Sequence, residues 1–339
     1  MRAFVTGGTG LIGGHVVDAL LADDWRVTVL TRDAKRGKDL EARGVRLVVG
    51  DVTRPSFEAA MAGADIVFHI AGWYELAIGN PRRMFDVNVT GTANILAAAR
   101  KQSVGRVVFT STAGVLAPTP RDPPATEASP VQTALEDPYV TSKVHAHRIV
   151  LAQMQQGLPV TIVLPAAVFG PGDTGQLGRT LALLAQRRLP RLPRGFGTNT
   201  WTHAADIASG HVLAAMRGKP GELYLLGDRI LPVEEFYAKA AAAAGVDPPT
   251  VNVPMGLARL AARFSEANAR FHRRTPLLSR AALAMGAVDI VIDASKARRE
   301  LDWSPHPLED RIRETMAWYV EAYRDTATPM PVKLGDASA

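Results

Sequence analysis

The chain has 339 residues, of which 47% are hydrophobic and 21% charged, with a formal net charge of +6 and no cysteine. That length and balance fit a globular protein with a large core and two lobes. The lack of cysteine excludes disulfides, thiolate metal sites and a cysteine nucleophile, and no apolar stretch reaches the roughly 20 residues needed to cross a bilayer. The basic residues lie in dispersed clusters without interleaved aromatics, the pattern of a solvated surface and not of a nucleic-acid face. The chain opens directly into an apolar run with no charged-then-apolar leader, so a cytoplasmic location is expected.

Met1–Thr6 is that first run, and it leads into Gly7-Gly8-Thr9-Gly10-Leu11-Ile12-Gly13. A helical stretch from His15 to Leu21 and a second apolar run, Trp25–Leu30, follow. Strand, glycine turn, helix, strand is the start of a doubly wound parallel sheet. Gly7 permits a tight exit from the strand with φ > 0. Gly10 lets backbone N–H groups approach a pyrophosphate at the positive end of the helix, and Gly13 lets the helix lie close on the strand. Gly7, Thr9, Gly10, Leu11, Ile12 and Gly13 are therefore expected to bind a dinucleotide. The spacing is G-x-x-G-x-x-G, not the commoner G-x-G-x-x-G, and it is the strand–turn–helix context that carries the reading.

The second strand ends at Thr31-Arg32, with Lys35 and Arg36 close behind. An acidic side chain at this junction would accept from the ribose hydroxyls of NAD, whereas a guanidinium suits a 2′-phosphate. Arg32 and Lys35 point to NADP(H); Asp33, one position late, keeps NAD(H) open. Gly44–Asp51 is the third strand. Asp51 is placed either to accept from an adenine amino group, with Val52 beside the ring, or to cap a helix beginning near Ser56. Ala64–Ala71 is the fourth strand and ends in Gly72-Trp73-Tyr74. Ala71 and Gly72 leave room for a cofactor, His69 reads as a satisfied core histidine, and Trp73 and Tyr74 as a substrate wall or as packing.

Asp86–Arg100 has apolar residues at helical spacing and leads into the fifth strand, Gly105–Thr110, and then Ser111-Thr112-Ala113-Gly114. Hydroxyls at the carboxyl edge of a parallel strand stand where such sheets bind ligands. After a proline-rich loop, Pro118–Pro130, the run Asp137-Pro138-Tyr139-Val140-Thr141-Ser142-Lys143 opens a helix. Tyr139 and Lys143 then share one face. A phenol with its ordinary pKa near ~10 is a poor acid or base at neutrality. A lysine one turn on is expected to stabilise the phenolate and to reach a nicotinamide ribose.

The sequence resembles the extended short-chain dehydrogenases/reductases, the NAD-dependent epimerase/dehydratase family. The matching segments are Thr6-Gly7-x-x-Gly10-x-x-Gly13, Asp51-Val52, His69-x-Ala71-Gly72, Asn88-Val89-x-Gly91-Thr92, Thr110-Ser111-Thr112 and Tyr139-x-x-x-Lys143. Further on, Leu164-Pro165-x-x-Val168-Phe169-Gly170-Pro171-Gly172 and His203-x-x-Asp206-Ile207-Ala208 also match. The likeness spans nearly the whole chain and is greatest to the dihydroflavonol 4-reductase-like branch. It implies an α/β, doubly wound Rossmann fold with a parallel sheet and a smaller, mostly helical C-terminal substrate lobe. It also implies a catalytic set of Thr112, Tyr139 and Lys143. Most relatives carry serine where Thr112 stands, which leaves Ser111 as the alternative hydroxyl. Cofactor contacts are implied at Ile70, Ala71, Gly72, Asn88, Thr110, Pro165, Ala166 and Val168. So is a homodimer, formed through the helices at Asp86–Arg100 and Pro138–Gln156.

Val160–Leu164 is a sixth strand. Thr174–Arg194 reads as a helix followed by a basic, proline-bounded segment, Thr198–His203 returns toward the sheet, and Glu222–Leu226 is a further strand. Val233–Ala244 and Pro254–His272 are helical stretches, and with the segment Asp302–Tyr319 they make up the smaller lobe. The expected division is residues 1–172, with 198–228, as an NADP-binding Rossmann domain; 173–197 and 229–325 as the substrate lobe; and 326–339 as a disordered tail.

The resemblance implies hydride transfer between NADP(H) and a ketone or aldehyde, with Tyr139 as general acid and no metal. Nucleotide-sugar epimerases of the family carry an arginine shortly before the position of His203. Here Thr198-Asn199-Thr200-Trp201-Thr202 holds none, although Arg191 or Arg194 could substitute. Dihydroflavonol itself is disfavoured because the asparagine expected after the catalytic hydroxyl is replaced by Ala117. Trp73, Tyr74, Phe169, Phe196 and Trp201 suggest an apolar carbonyl substrate. The alternatives are a sugar epimerase that retains its cofactor tightly and shows no net redox, and a non-catalytic dinucleotide sensor.

Overall fold

Short apolar runs alternating with helical stretches leave a parallel sheet covered on both faces as the arrangement that buries them. The computed structural model describes residues 1–74, 81–132, 137–189, 191–272, 276 and 278–323. Its elements run β1 (Arg2–Thr6), α1 (Leu11–Ala22), β2 (Arg26–Thr31), α2 (Lys38–Ala42), β3 (Arg46–Val49), β4 (Ile66–His69), α3 (Pro81–Phe85) and α4 (Gly91–Lys101). Then come β5 (Arg106–Thr110), α5 (Pro138–Gln155), β6 (Val160–Pro165), β7 (Ala167–Phe169), α6 (Gln176–Ala185), β8 (Arg191–Pro193), β9 (Thr198–His203) and α7 (Ala204–Met216). The chain continues through β10 (Leu223–Leu226), β11 (Arg229–Pro232), α8 (Val233–Ala244), β12 (Thr250–Val253), α9 (Met255–Phe271), α10 (Arg280–Gly286), α11 (Ser295–Leu301) and α12 (Leu308–Tyr323).

Seven strands form one sheet in the order β10-β6-β5-β4-β1-β2-β3, with parallel pairing throughout. The sequence doubles back at β1, and that reversal opens the crevice at the strands' carboxyl ends. One face of the sheet packs on α4 and α5 through residues such as Phe4, Val67, Phe109, Ile95 and Val144. The other packs on α1, α7 and α11 through Val5, Phe68, Val108, Val17 and Ile207. A third core joins α6, α8 and α12 around Phe169, Trp201, Phe236 and Tyr319.

Thr198–His203 does not join the seven-stranded sheet. As β9 it pairs with β7 and β11 in a small second sheet, and β8 pairs with β12 in a third. The last long helix begins at Leu308, after Pro305 and Pro307, which disfavour helix at the residues before them. Asp302 instead closes α11 in a left-handed conformation, φ 58°. The tail 326–339, expected to be disordered, lies outside the described residues.

Candidate active site

A cavity of about 1300 Å³ runs along the carboxyl edge of the main sheet and out between α6, α9 and α10. Its inner end is built on the glycine turn. Gly7 adopts φ +76°, and a Cβ there would lie 2.7 Å from the Ala71 nitrogen; one at Gly13 would lie 2.1 Å from the Gly7 carbonyl oxygen. Both glycines are thus required for the turn to close against its neighbours. Gly10 N-caps α1 without a capping side chain, and no acidic residue stands in the first turn. The orphan N–H groups of that turn, with Gly10, Leu11 and Ile12 on the cavity wall, form a cradle suited to an anion.

The end of β2 contributes charge. Arg32 lines the cavity with its guanidinium 5.8 Å from the Trp73 ring centroid. Asp33, the candidate acid, is otherwise engaged: its Oδ1 accepts from the Lys35 backbone N–H at 2.8 Å, and its carboxylate faces Arg36 at 3.9 Å. Arg36 lines the cavity and Lys35 does not, because the turn capped by Asp33 directs Lys35 to solvent. Asp51 caps no helix. Its Oδ1 accepts from the backbone N–H and hydroxyl of Thr53, at 2.9 and 3.0 Å, which leaves it on the cavity wall beside Val52.

Strand register explains the next layer. Thr6 lies opposite His69 on the neighbouring strand. The Thr6 hydroxyl donates to His69 Nδ1 (2.8 Å) and accepts from the Ala71 N–H (3.1 Å), while His69 Nε2–H donates to Thr92 Oγ1 (3.0 Å), whose hydroxyl donates to the Asn88 carbonyl (2.6 Å). The chain of donors assigns the His69 tautomer. Burial, with Lys143 adding to it, lowers His69 to about 3, so the ring is neutral and structural. Asn88 belongs to a single π-helical turn, Asp86–Thr90, a feature that often marks functional sites. Its side chain accepts from Trp73 N–H (2.7 Å) and donates to the Trp73 carbonyl (3.1 Å) and to Ser142 Oγ (2.8 Å). Asn88 is therefore off the cavity wall and ties the Gly72–Tyr74 segment to α5.

At the end of β5 the alternation of side chains sorts three hydroxyls. Thr110 turns toward α7 and donates to His211 Nε2 (2.8 Å); Ser111 turns toward α5 and bonds His147 Nδ1 (2.9 Å). Burial lowers both histidines to about 4. Thr112, beyond the strand, caps a short turn by accepting from the Gly114 N–H (3.1 Å), and its hydroxyl acts on the Tyr139 phenol to lower its pKa. Asp137 N-caps α5 by accepting from the Tyr139 and Val140 N–H groups at 2.9 and 3.1 Å, and so fixes where Tyr139 starts. Tyr74 meets the Tyr139 ring edge-on at 4.8 Å. Lys143 Nζ donates to the Thr110 carbonyl (2.7 Å) and lies 5.1 Å from the Phe109 ring.

The electrostatics differ from the expectation that Lys143 lowers the phenol. Burial pushes Tyr139 up to about 12 against the downward pull of the Thr112 hydroxyl. Burial also brings the Lys143 ammonium down to about 8. The lysine gives one of its three N–H groups to a carbonyl, and the phenol keeps its proton at neutral pH.

The outer end is mostly apolar: Leu177, Leu183, Leu192, Phe196, Leu257 and Met285 line it, with Asp173, Arg179 and Arg191 among the charged residues on the wall. Two residues expected to contact substrate have their rings packed in the third core. Phe169 is fully buried between His203 and Phe236 and lies off the wall. Trp201 touches the cavity but is stacked on Phe236 at 3.8 Å, with Nε1 donating to the Leu231 carbonyl (3.1 Å). The register of β7 against β9 turns both rings into the third core. Trp73, Tyr74 and Phe196 do line the cavity, as do Ile70, Ala71, Gly72, Pro165, Ala166 and Val168. Sequence reading missed His147, His211, Ser142 and the α9–α10 wall. Only the apolar periodicity of α9 signalled any of these. Among the described residues, no cluster of three or more His, Asp or Glu side chains could hold a metal.

Comparison with known proteins is consistent with this architecture. Residues 3–227 match the NAD dependent epimerase/dehydratase family. The chain is 30% identical over 324 residues to a putative dihydroflavonol 4-reductase of Synechocystis sp., covering 93% of this chain and 94% of that one. It is 31% identical over 310 residues to the 4-hydroxy-2-methyl-3-oxo-4-farnesyl-3,4-dihydroquinoline-1-oxide ketoreductase of Stigmatella aurantiaca, covering 90% and 92%. The dTDP-glucose 4,6-dehydratase of Streptomyces venezuelae, solved with NAD bound, superposes with a TM-score of 0.77 at 26% identity, over 95% of this chain and 97% of that one.

Proposed function

This chain belongs to the NAD dependent epimerase/dehydratase family of extended short-chain dehydrogenases/reductases, and from that premise we propose that it is an NADP(H)-dependent reductase of hydrophobic ketones or aldehydes. Run in reverse, it is a dehydrogenase of the corresponding secondary alcohols. The observation that carries this reading is the meeting of Thr112, Tyr139 and Lys143 at the waist of a cavity whose outer wall is apolar. The similarity to a ketoreductase of a farnesyl-bearing compound supports the substrate class.

In this reading the uncapped first turn of α1 holds the pyrophosphate, Asp51 and Val52 flank the adenine, and Arg32 with Arg36 takes the 2′-phosphate. The bound nicotinamide supplies the hydride. Tyr139, protonated at neutral pH because burial raises its phenol, transfers that proton to the carbonyl oxygen as negative charge develops there. Thr112 donates a second hydrogen bond to the same oxygen. Lys143, anchored on the Thr110 carbonyl, reaches the nicotinamide ribose and keeps a positive charge near the phenol. Asn88 acts through others, by holding the Trp73 backbone and α5.

Arg179 and Arg191 favour a second reading, in which an anionic sugar nucleotide is epimerised and the cofactor is never released. One experiment separates the two. Protein stripped of nucleotide is expected to bind NADPH in preference to NADH by calorimetry, and to oxidise it with apolar alicyclic ketones as measured by the loss of nicotinamide absorbance. Retained NAD and no net turnover with any such ketone would overturn the reductase reading. Arg32→Ala is expected to weaken NADPH roughly tenfold to a hundredfold, the worth of one charged hydrogen bond, with NADH little changed; equal losses for both would remove Arg32 from the 2′-phosphate site.

A further inference from the structure

Helix α9 is built inside out for a surface helix. Its buried apolar positions are small, Ala258, Ala262 and Ala269, while its large apolar side chains face outward: Leu257 is 60% exposed, Leu260 49%, Phe264 69% and Phe271 84%. These are four of the nine large apolar side chains that are exposed among the described residues. Separations of three, four and seven residues put them within about 60° of arc on one face. Scattered exposed apolar residues need no explanation, but a continuous stripe marks an interaction surface.

The exposed charge described on the helix itself has one sign. Arg259 and Arg263 are exposed on its flank. The helix's single carboxylate, Glu266, is buried and bound to Arg280, with Oε2 accepting from Nε at 2.9 Å and Oε1 from the backbone N–H at 2.7 Å. A second copy of the chain would set Arg259 and Arg263 against their own like, with no exposed carboxylate on the helix to answer them. An anionic lipid surface answers both features, since the apolar stripe enters the acyl boundary while the arginines remain at the headgroups. The stripe is also continuous with the cavity: Leu257 belongs to both, and Ala258 and Ala261 line the cavity from the same helix. No described helix is long and apolar enough to cross a membrane, so the contact would lie in the plane of the interface.

We propose that α9 is an interfacial helix that seats this protein on an anionic lipid surface, with the apolar end of its cavity opening toward the lipid. A membrane-dissolved carbonyl compound can then enter along α9 without crossing water. The delivery role rests on the reductase reading above; the seating does not, and the two are tested separately.

The test is co-sedimentation of the full chain with vesicles of phosphatidylcholine alone and of phosphatidylcholine mixed with phosphatidylglycerol. Binding to the mixed vesicles is expected, weakening as salt rises, with little binding to the neutral ones. Neutralising Arg259 and Arg263 to Gln should lower affinity about fivefold each. The double variant Leu260→Ser, Phe264→Ser should abolish binding; neither residue lines the cavity, so consumption of NADPH with a small water-soluble ketone should be unchanged, and that activity also reports that the variant is folded. Failure of the unmodified chain to bind either vesicle, or unchanged binding by the double variant, overturns the proposal. So does an oligomer of the unmodified chain that the same double substitution dissociates, which would make a second copy the occupant. Vesicle binding by a protein inactive on every ketone would leave the seating standing and remove the reductase reading.

Discussion

Tyr139→Phe is expected to lower kcat for carbonyl reduction by roughly a hundred- to ten-thousandfold, the range for loss of a positioned general acid. Affinity for the cofactor should be nearly intact. Phenylalanine keeps the ring that packs edge-on against Tyr74 and the backbone N–H that Asp137 caps, so what is removed is the proton donor and not the fold. Steady-state rates and calorimetry on the same preparation check this, and full activity in the variant would sink the assigned mechanism. The neighbouring hydroxyls make the result sharper. Thr112→Ala should lose a large part of kcat and Thr112→Ser should recover it, because the hydrogen bond to the reacting oxygen needs only a hydroxyl at that place. Ser111→Ala should leave kcat standing and instead lower stability by about 1–3 kcal/mol, the cost of an unpaired buried His147 nitrogen. A large loss of kcat in Ser111→Ala with none in Thr112→Ala would exchange their roles.

Arg311→Leu is expected to cost about 3–5 kcal/mol of stability, read from the urea midpoint. Arg311 binds both oxygens of Asp206, Nε to Oδ2 at 3.0 Å and Nη2 to Oδ1 at 2.8 Å, and His306 adds a third contact at 3.0 Å. Asp206 is nearly fully buried at the start of α7, with Trp303 Nε1 donating to its carbonyl (2.8 Å). The pair therefore pins α12 to the helix that covers the main sheet. Burial pushes the Asp206 carboxyl up, but the Arg311 and His306 hydrogen bonds outweigh it, and the net shift is downward. A carboxyl lowered in the folded state stabilises above its unfolded value of about 3.9, and that contribution is lost as pH falls through the lower native one. In the variant the carboxylate is buried without its partner, so protonation relieves it. The gap between the two proteins should accordingly narrow as pH falls through the variant's raised native pKa, which lies above the ordinary value of about 3.9, and on through the lowered one of the unmodified protein. A small loss at neutral pH, or a gap that widens in acid, would show that Asp206 is not held as a buried anion.

Local rules were enough for much of this molecule. The doubly wound sheet, the glycine turn and the placement of Tyr139 and Lys143 on one face of α5 each follow from short-range patterns, in which a strand alternates with period two, a helix turns every 3.6 residues and a Cβ has no room at Gly13. His69 could be read as a core histidine for the same reason, since it lies inside an unbroken apolar run. What the local pattern leaves open is which of two faces meets which neighbour. Period two says that Ser111 and Thr112 point apart; only the packing of His147 against the first and Tyr139 against the second decides their work. Phe169 and Trp201 read equally well as walls or as core until β7 and β9 are set in register against α8. Lys143 and Tyr139 are neighbours by spacing, yet the Thr110 carbonyl, brought in by β5, takes the ammonium and leaves the phenol raised. The α9 stripe is visible as periodicity, but periodicity alone implies that an apolar face is buried. That the alanine face packs inward and the Leu–Phe face stays out is set by how closely α9 must approach α10, a distance that exists only once residues far apart in the chain have come together.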